Sequence, residues 1–191
     1  MLREKMKRAI DIILSLIGIM ILFVPILLIA LIVRLTSEGP AIHWSKRYGK
    51  NKCFFLMPKF RTMNIGTPQI DTLSLKNPKN YLTPVGSFLR KTSIDELPQL
   101  FSVLIGKMSL VGPRPALFTQ TDLIDMRDKY NINDMTPGIT GYSQIKGRDD
   151  IDLKKKVELD NIYLNKRSLF FDLYIIVMTI AKLADDKNIK H

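Results

Sequence analysis

Residues Ile12–Val33 read IILSLIGIMILFVPILLIALIV, 22 residues without a charge. A bilayer core takes about 20 apolar residues to cross, so length alone permits a membrane span. The run is longer than a signal-peptide core, and no A-x-A-like cleavage site follows it. Pro25 falls near the middle, where it removes one backbone hydrogen bond and crowds the preceding turn; a kink or break is expected at Val24–Pro25. Both flanks are basic, with Arg3, Lys5, Lys7 and Arg8 before the run and Arg34, Lys46, Arg47, Lys50 and Lys52 after it. Positive flanks favour the cytoplasmic side, and a straight span cannot place both there. A re-entrant helix that enters, turns at Pro25 and returns can do so. A kinked single span and a buried core helix are the alternatives, the latter disfavoured by length.

Outside this run the chain reads as one ordinary folded domain. It has 191 residues, 46% hydrophobic and 25% charged, which excludes intrinsic disorder, collagen-like repeats and a small disulfide scaffold. Cys53 is the single cysteine, so no intramolecular disulfide forms and a reducing compartment is expected. The net charge is +11, and its placement is uneven. Residues 1–61 hold 11 Lys/Arg against 3 Asp/Glu, whereas residues 62–191 hold 18 against 15. A positive excess beside the apolar run points to an anionic membrane surface. Nucleic acid is disfavoured for the same reason and by an aromatic content of only 8%.

Two regions follow: a membrane-inserted anchor over residues 1–36 and a cytoplasmic domain over residues 37–191. The C-terminal stretch Leu169–Ala184 is interrupted by Asp172 and Lys182, so it cannot cross a membrane. At helical spacing Leu173, Ile176, Val177, Ile180 and Ala184 form one apolar face, as in a core helix or one lying in the membrane interface. Pro40–Trp44, Cys53–Met57 and Lys59–Met63 read as short extended pieces. Residues 64–83 read as a long surface loop in which Asp71, Lys76 and Lys79 form a solvated face. Residues 116–131 have helical spacing, Thr136–Gly147 reads as a loop, and a helix is expected from about Leu153. The fold class is α+β and mainly helical, with amphipathic helices and a few short strands.

The densest polar cluster is Leu89-Arg-Lys-Thr-Ser-Ile-Asp-Glu-Leu-Pro-Gln-Leu100. Pro98 forces any helix here to begin within a few residues before it, and Ser93 with Glu96 matches a capping box. Asp95 and Glu96 then sit in a first turn, at the positive end of the dipole. Plain capping explains them. So does a site in which Asp95 stays ionised while nearby N–H groups take a phosphate and the carboxylate pair holds Mg²⁺. In Ser109-Leu-Val-Gly-Pro-Arg-Pro115, Arg114 lies between two prolines, a stiff mount for a bidentate phosphate contact, though a Pro-rich surface turn has the same look. Thr136–Asp149 offers glycines for close backbone approach, with Tyr142, Gln144 and Arg148 as stacking and hydrogen-bonding groups, or it is a decorated turn. Lys59, Arg61 and Arg90 are further cations. His43 and His191 are isolated. No Cys/His metal spacing, Ser-His-Asp set, G-x-G-x-x-G or Walker-type loop is present.

Together these segments resemble the bacterial sugar transferase family, the small monotopic phosphoglycosyl transferases. The resemblance runs from Lys7-Arg-Ala-Ile-Asp11 to the C-terminal helix. It is carried by the Pro-broken apolar segment, Ser37-Glu-Gly-Pro-Ala41, Lys59-Phe-Arg-Thr-Met63, the Leu89–Leu100 cluster, Ser109–Pro115 and Pro137-Gly-Ile-Thr-Gly141. It is greatest to the short, single-domain members, without the N-terminal multi-span region of longer ones. The resemblance implies transfer of a sugar-1-phosphate from a UDP-sugar to polyprenyl (undecaprenyl) phosphate, with UMP released. That reaction begins capsule, O-antigen or glycoprotein glycans at the cytoplasmic face of the bacterial inner membrane.

By position, the resemblance implies Asp95 as nucleophile and Glu96 as its partner at a Mg²⁺ site. Arg114 is implied as a phosphate ligand, Arg90 and Asp172 as polar groups near the site, and Lys59 and Arg61 as part of a basic motif. Where the family has Ser-Pro at the membrane break, this chain has Val24-Pro25, so the bend rests on Pro25 and tertiary contacts, with Arg90 one candidate. The family implies N-acetylated or deoxy amino sugars on UDP, and a homo-oligomer is compatible with it. A non-enzymatic basic adaptor on the membrane surface is the rival from another class; a membrane-tethered nucleic-acid binder has only the basic pI of about 9.8 in its favour.

Overall fold

The computed structural model describes residues 2–68, 70, 76–147 and 151–184. Asp71, Arg148, His191 and the side chain of Ala184 lie outside them. Eleven elements succeed one another in chain order: helix α1 (Leu2–Thr36), strands β1 (Ile42–Tyr48) and β2 (Phe54–Phe60), helices α2 (Gly86–Lys91) and α3 (Gln99–Leu104), strand β3 (Ser109–Val111), helix α4 (Thr121–Asp128), strand β4 (Gly138–Thr140), and helices α5 (Tyr142–Gly147), α6 (Leu153–Lys166) and α7 (Leu169–Ala184). Short 3₁₀ turns at Pro78–Tyr81, Ile94–Glu96 and Ile132–Asp134 join some of them. The architecture is α+β and mainly helical.

Helix α1 is continuous through Pro25, so the expected break does not interrupt the secondary structure. The missing N–H of Pro25 deprives only the Ile21 carbonyl of its partner, and the turns on either side keep theirs. Its burial is the reverse of a soluble amphipathic helix. The stripe against the body runs through Asp11, Ser15, Gly18, Ile19, Leu22, Ile26, Ile29, Ala30 and Val33, at the 3–4 residue spacing of one helix face. Much of that stripe is small or polar, while Ile13, Leu16, Met20, Ile21, Phe23, Val24, Leu27, Leu28 and Leu31 stand exposed.

The seam is held along most of its length. Lys7 Nζ donates to Asp172 Oδ2 at 2.8 Å, and the Arg8 guanidinium caps the end of α3 by donating to the Val103 and Leu104 carbonyls. The Asp11 carboxylate accepts from Ser109 Oγ at 2.8 Å and Leu110 N at 3.1 Å. Gly18 lies against Leu100. Toward the C-terminus, Ile26, Ile29, Ala30 and Val33 pack with Phe60 and Leu89. From Lys7 to Val33 the helix therefore stays on one body over roughly 40 Å, at 1.5 Å per residue.

β1 and β2 form an antiparallel hairpin in register Ile42↔Phe60 to Tyr48↔Phe54. Its inward face buries Ser45, Phe55 and Met57, the last two packing on Val103 and Met108. The third extended piece expected over Lys59–Met63 is the end of β2 plus a single bridge from Met63 to Leu82. The second sheet, parallel β3–β4, arises where only turns and a loop were expected. Ser109 pairs with Gly138 and Val111 with Thr140, strands too short for an alternating pattern. A larger core of Val111, Ile124, Ile132, Ile145, Val157, Tyr163 and Ile175 joins this sheet to α4–α7. Helix α6 begins as expected, its N-cap Asp152 Oδ1 accepting from Lys155 N at 2.7 Å. Helix α7 buries Ile175 but leaves Phe170, Leu173, Val177 and Ile180 exposed, so most of the apolar face read from the sequence points away from the body.

The β3–β4 crossing depends on missing side chains. A Cβ on Gly138 would lie 2.1 Å from the Gly112 amide nitrogen and 2.5 Å from the Thr140 carbonyl oxygen. Gly138→Ala is therefore expected to prise the strands apart and destabilise the fold by about 2–4 kcal/mol. Thermal unfolding of the purified protein in detergent checks this, and an unchanged midpoint would mean the strands have slack.

Candidate active site

The Ser93–Pro98 segment does not form the capping box its sequence suggests. Ser93 takes a left-handed conformation (φ 57°) and makes no side-chain cap. Ile94–Glu96 is a single 3₁₀ turn, and α3 starts only at Gln99, after Pro98. Asp95 and Glu96 therefore do not sit on the first turn of an α-helix, and the dipole of one short turn contributes little. The Glu96 side chain, which a capping box would fold back, turns instead to Arg114. Arg114 Nη2 meets Glu96 Oε1 at 2.6 Å and Nη1 reaches Oε2 at 3.4 Å, a two-point fork.

Asp95 is 6% exposed. Burial, and then the neighbouring Glu96 charge, push its carboxyl up to about 6, against the pull of Lys59, Arg114 and Arg90. Lys59, near the end of β2, feels the converse. Burial and the nearby Arg47 lower its ammonium to about 8, while Asp95 and Glu96 oppose that shift. Five of the residues singled out in the sequence thus meet: Asp95 and Glu96 on the turn, Lys59 from the hairpin, Arg90 from α2 and Arg114 from the Pro113–Pro115 strip. Two carboxylates stand among three cations, a setting that keeps a carboxylate available as a nucleophile while leaving positive charge for a phosphate.

The hairpin brings in two further basic residues, His43 and Arg47, that were not expected at the site. For His43, directly opposite Lys59 in the register, burial and then the charges of Lys59, Arg61 and Arg47 push the imidazole below its ordinary value. Arg47 donates to Ser45 Oγ and, through Nη1, to the Pro115 carbonyl at 3.1 Å. The period-two spacing of His43, Ser45 and Arg47 on a strand was the available signal.

Other expected site residues lie elsewhere or serve other partners. Arg61 is buried, and its guanidinium donates to the Glu38 carbonyl just beyond α1. Gln144 Nε2 donates to the Ile139 carbonyl at 2.9 Å, bracing the β4–α5 turn, while its buried Oε1 has no hydrogen-bond partner. Asp172 joins a separate cluster, taking Lys7 Nζ on one oxygen and the Tyr163 hydroxyl at 2.7 Å on the other. Burial and the Asp172 charge push the Tyr163 phenol far up. That cluster lines a cleft of about 340 Å³ at the foot of α1, with Arg3, Asp11 and Arg167. Arg148 lies outside the described residues.

Among the described residues no group of three or more His, Cys, Asp or Glu side chains could hold a metal ion. Asp95 and Glu96 are a two-carboxylate set, which suits Mg²⁺ because that ion is commonly held by one or two carboxylates with phosphate oxygens completing its shell. A neighbouring divalent cation would also relieve the repulsion between them that contributes to the raised Asp95.

The family described as "Bacterial sugar transferase" matches residues 2–186. The chain is 40% identical over 186 residues to the UDP-glucose:undecaprenyl-phosphate glucose-1-phosphate transferase of Escherichia coli K12, covering 93% of this chain and 40% of that protein. It is 38% identical over 187 residues to galactosyl transferase CpsE of Streptococcus agalactiae, covering 91% and 41%. With the exopolysaccharide production protein ExoY of Sinorhizobium fredii it shares 34% identity over 189 residues, covering 91% and 83%. The chain spans about 40% of the length of the first two relatives.

A carboxyl whose folded pKa lies above its unfolded value binds more protons in the folded state. Asp95 therefore contributes stability that is fully present below about pH 4 and is lost as pH rises through about 6. Asp95→Asn removes this loss, so the variant should be more stable than the native chain at pH 7.5 by on the order of 1–3 kcal/mol, with the difference closing toward pH 4. Unfolding midpoints of both proteins across that range measure it; a constant difference would mean Asp95 is not desolvated.

Proposed function

The chain belongs to the bacterial sugar transferase family, and from that membership and the carboxylate pair among cations we propose that it moves a sugar-1-phosphate from a UDP-sugar to polyprenyl phosphate, releasing UMP. The observation that carries the proposal is the buried Asp95 flanked by Lys59, Arg90, Glu96 and Arg114. An adaptor that only binds lipid has no use for a desolvated carboxylate held in this way.

In the first step an Asp95 carboxylate oxygen attacks the β-phosphorus of the donor. The bond from that phosphorus to the bridging oxygen breaks, UMP leaves with the electron pair, and an aspartyl–phosphosugar remains. A phosphate oxygen of the polyprenyl acceptor then attacks the same phosphorus, and the bond to Asp95 breaks, restoring the carboxylate. Splitting the transfer in two is covalent catalysis. Arg114, oriented by Glu96, binds non-bridging oxygens bidentately, and Lys59 and Arg90 offset the remaining charge as it moves toward the leaving group. Mg²⁺, held by Asp95 and Glu96, would supply further neutralisation of the diphosphate.

The acceptor's phosphate lies at headgroup depth, and the form of α1 supports a re-entrant or shallow insertion over a span. A span would carry one end of the helix about 30 Å from the other across the bilayer, with the body left on one side. Here Lys7 near one end and Val33 near the other are both fixed to the same body. Besides the apolar side chains of α1, Phe88, Phe101, Ile105, Phe170, Leu173 and Val177 also stand exposed, apolar surface available for the cytoplasmic leaflet. The basic flanks favour that leaflet. On this reading the pathway is the initiation of a surface polysaccharide such as a capsule, O-antigen or glycoprotein glycan.

Detergent-solubilised protein with Mg²⁺, undecaprenyl phosphate and a panel including UDP-glucose, UDP-galactose and UDP-N-acetylated amino sugars is expected to release UMP with one donor. Asp95→Asn is expected to lose on the order of 10³-fold or more with its fold intact; near-native turnover in that variant would remove the covalent route. For the membrane placement, Leu2→Cys and Thr36→Cys, each in a Cys53→Ser background, should label from the same side of sealed vesicles. Labelling from opposite sides would establish a span.

A further inference from the structure

The prolines that stiffen the Arg114 strip also deprive it of amide donors, since neither Pro113 nor Pro115 has an N–H. The strip is anchored through its carbonyls. Gly138 N donates to the Pro113 carbonyl at 3.0 Å and Tyr48 N to that of Ala116 at 3.0 Å. Between them, Arg127 Nη1 donates to the Arg114 carbonyl at 3.0 Å and Arg47 Nη1 to that of Pro115 at 3.1 Å. Four consecutive carbonyls are thereby fixed, and the one belonging to Arg114 itself depends on a side chain from another helix.

Arg127 comes from α4 and is 3% exposed; Asp160, from α6, is 1% exposed. Arg127 Nε and Nη2 both donate to Asp160 Oδ2, at 3.1 and 2.6 Å, and Ser143 Oγ donates to Asp160 Oδ1 at 2.8 Å. Two arms of the guanidinium are thus locked, leaving the third aimed at a single carbonyl. A buried ion pair is a poor device for stability alone, because apolar residues of similar size commonly serve as well. What apolar residues cannot do is direct an N–H at the backbone of Arg114.

We propose that Arg127, oriented by Asp160 and Ser143, is a positioning residue that fixes the Arg114 backbone so that its guanidinium meets Glu96 and the donor phosphate. This rests on the reading of Arg114 as the phosphate ligand. The residue acts through Arg114 alone, so its loss should matter only while Arg114 is present.

The test is a cycle of the native chain, Arg114→Ala, Arg127→Lys and the two combined, read as kcat/KM for the donor that gives UMP release and as UDP affinity by calorimetry. Lysine keeps the charge but cannot hold Asp160 at two points and the carbonyl at once. Arg127→Lys is expected to lower both quantities roughly 10- to 100-fold, the scale of a misplacement of about 1 Å. The combined variant is expected to lose no more than Arg114→Ala alone. Losses that multiply would overturn the proposal. Should Arg127→Lys fold poorly, Arg127→Met with Asp160→Leu replaces the ion pair by an apolar one; it is expected to fold yet show the same loss, and full activity in it would equally overturn the proposal. If the native chain releases no UMP while UDP affinity still follows the cycle, the transferase reading falls and the positioning role stands.

Discussion

A carboxylate on an apolar helix must find donors or the helix cannot be buried there. Asp11 finds Ser109 Oγ and the Leu110 amide, and the rest of the molecule follows from that contact. It sets the rotational phase of α1, since only one face of the helix can present Asp11 to β3. With the phase set, Ser15, Gly18, Ala30 and Val33 fall on the inner stripe, and the large aliphatic side chains fall outside. It also ties α1 directly to the strand that runs into Gly112 and the Arg114 strip, so anchor and site share one mechanical frame.

The site trades hydration for fixed charges. Asp95 is removed from water and set beside a second carboxylate, an arrangement that favours its neutral form. The cations arranged around it work the other way, and each is supplied by a different element: Lys59 by a strand, Arg90 by a helix, Arg114 by a rigid strip. Because these elements are themselves held by unlike means, the hairpin by its ladder and the strip by its carbonyls, the charges cannot drift together toward Asp95 and collapse the space a phosphate needs. Lys59 shows the same compromise from the basic side, its ammonium weakened by the very burial that sharpens its attraction.

How much of this was readable in the sequence depended on range. The apolar run, the α6 helix and the fold class follow from local pattern, and period and composition reported them. Asp95, Glu96 and Arg114 were visible because unusual residues crowd their segments. The capping box at Ser93 was misleading because the motif presumes that Glu96 turns back to its own backbone, and a partner 18 residues away outbids it. The β3–β4 pair was invisible because three-residue strands hold no period, and a parallel pair needs a partner far along the chain. Asp172 was drawn toward the site by resemblance alone and Arg61 also as one of three further cations; the structure pairs them with Lys7 and with the Glu38 carbonyl. Arg127 and Asp160 stood out in no sequence pattern, and only tertiary packing makes them interior.

On the placement argued above, the two-ended hold on α1 has a consequence for the bilayer itself. A helix fixed at both ends to one body adds cross-sectional area to the leaflet that body rests on and none to the opposite one. Its bulky outer residues, Phe23, Leu27 and Leu31 among them, then act as a wedge beneath the headgroups. Wedges of this kind are sensitive to curvature and to the packing of lipids around them, so the protein's share of membrane follows not only charge but the spontaneous curvature of the lipid mixture, with convex or loosely packed patches enriched in it.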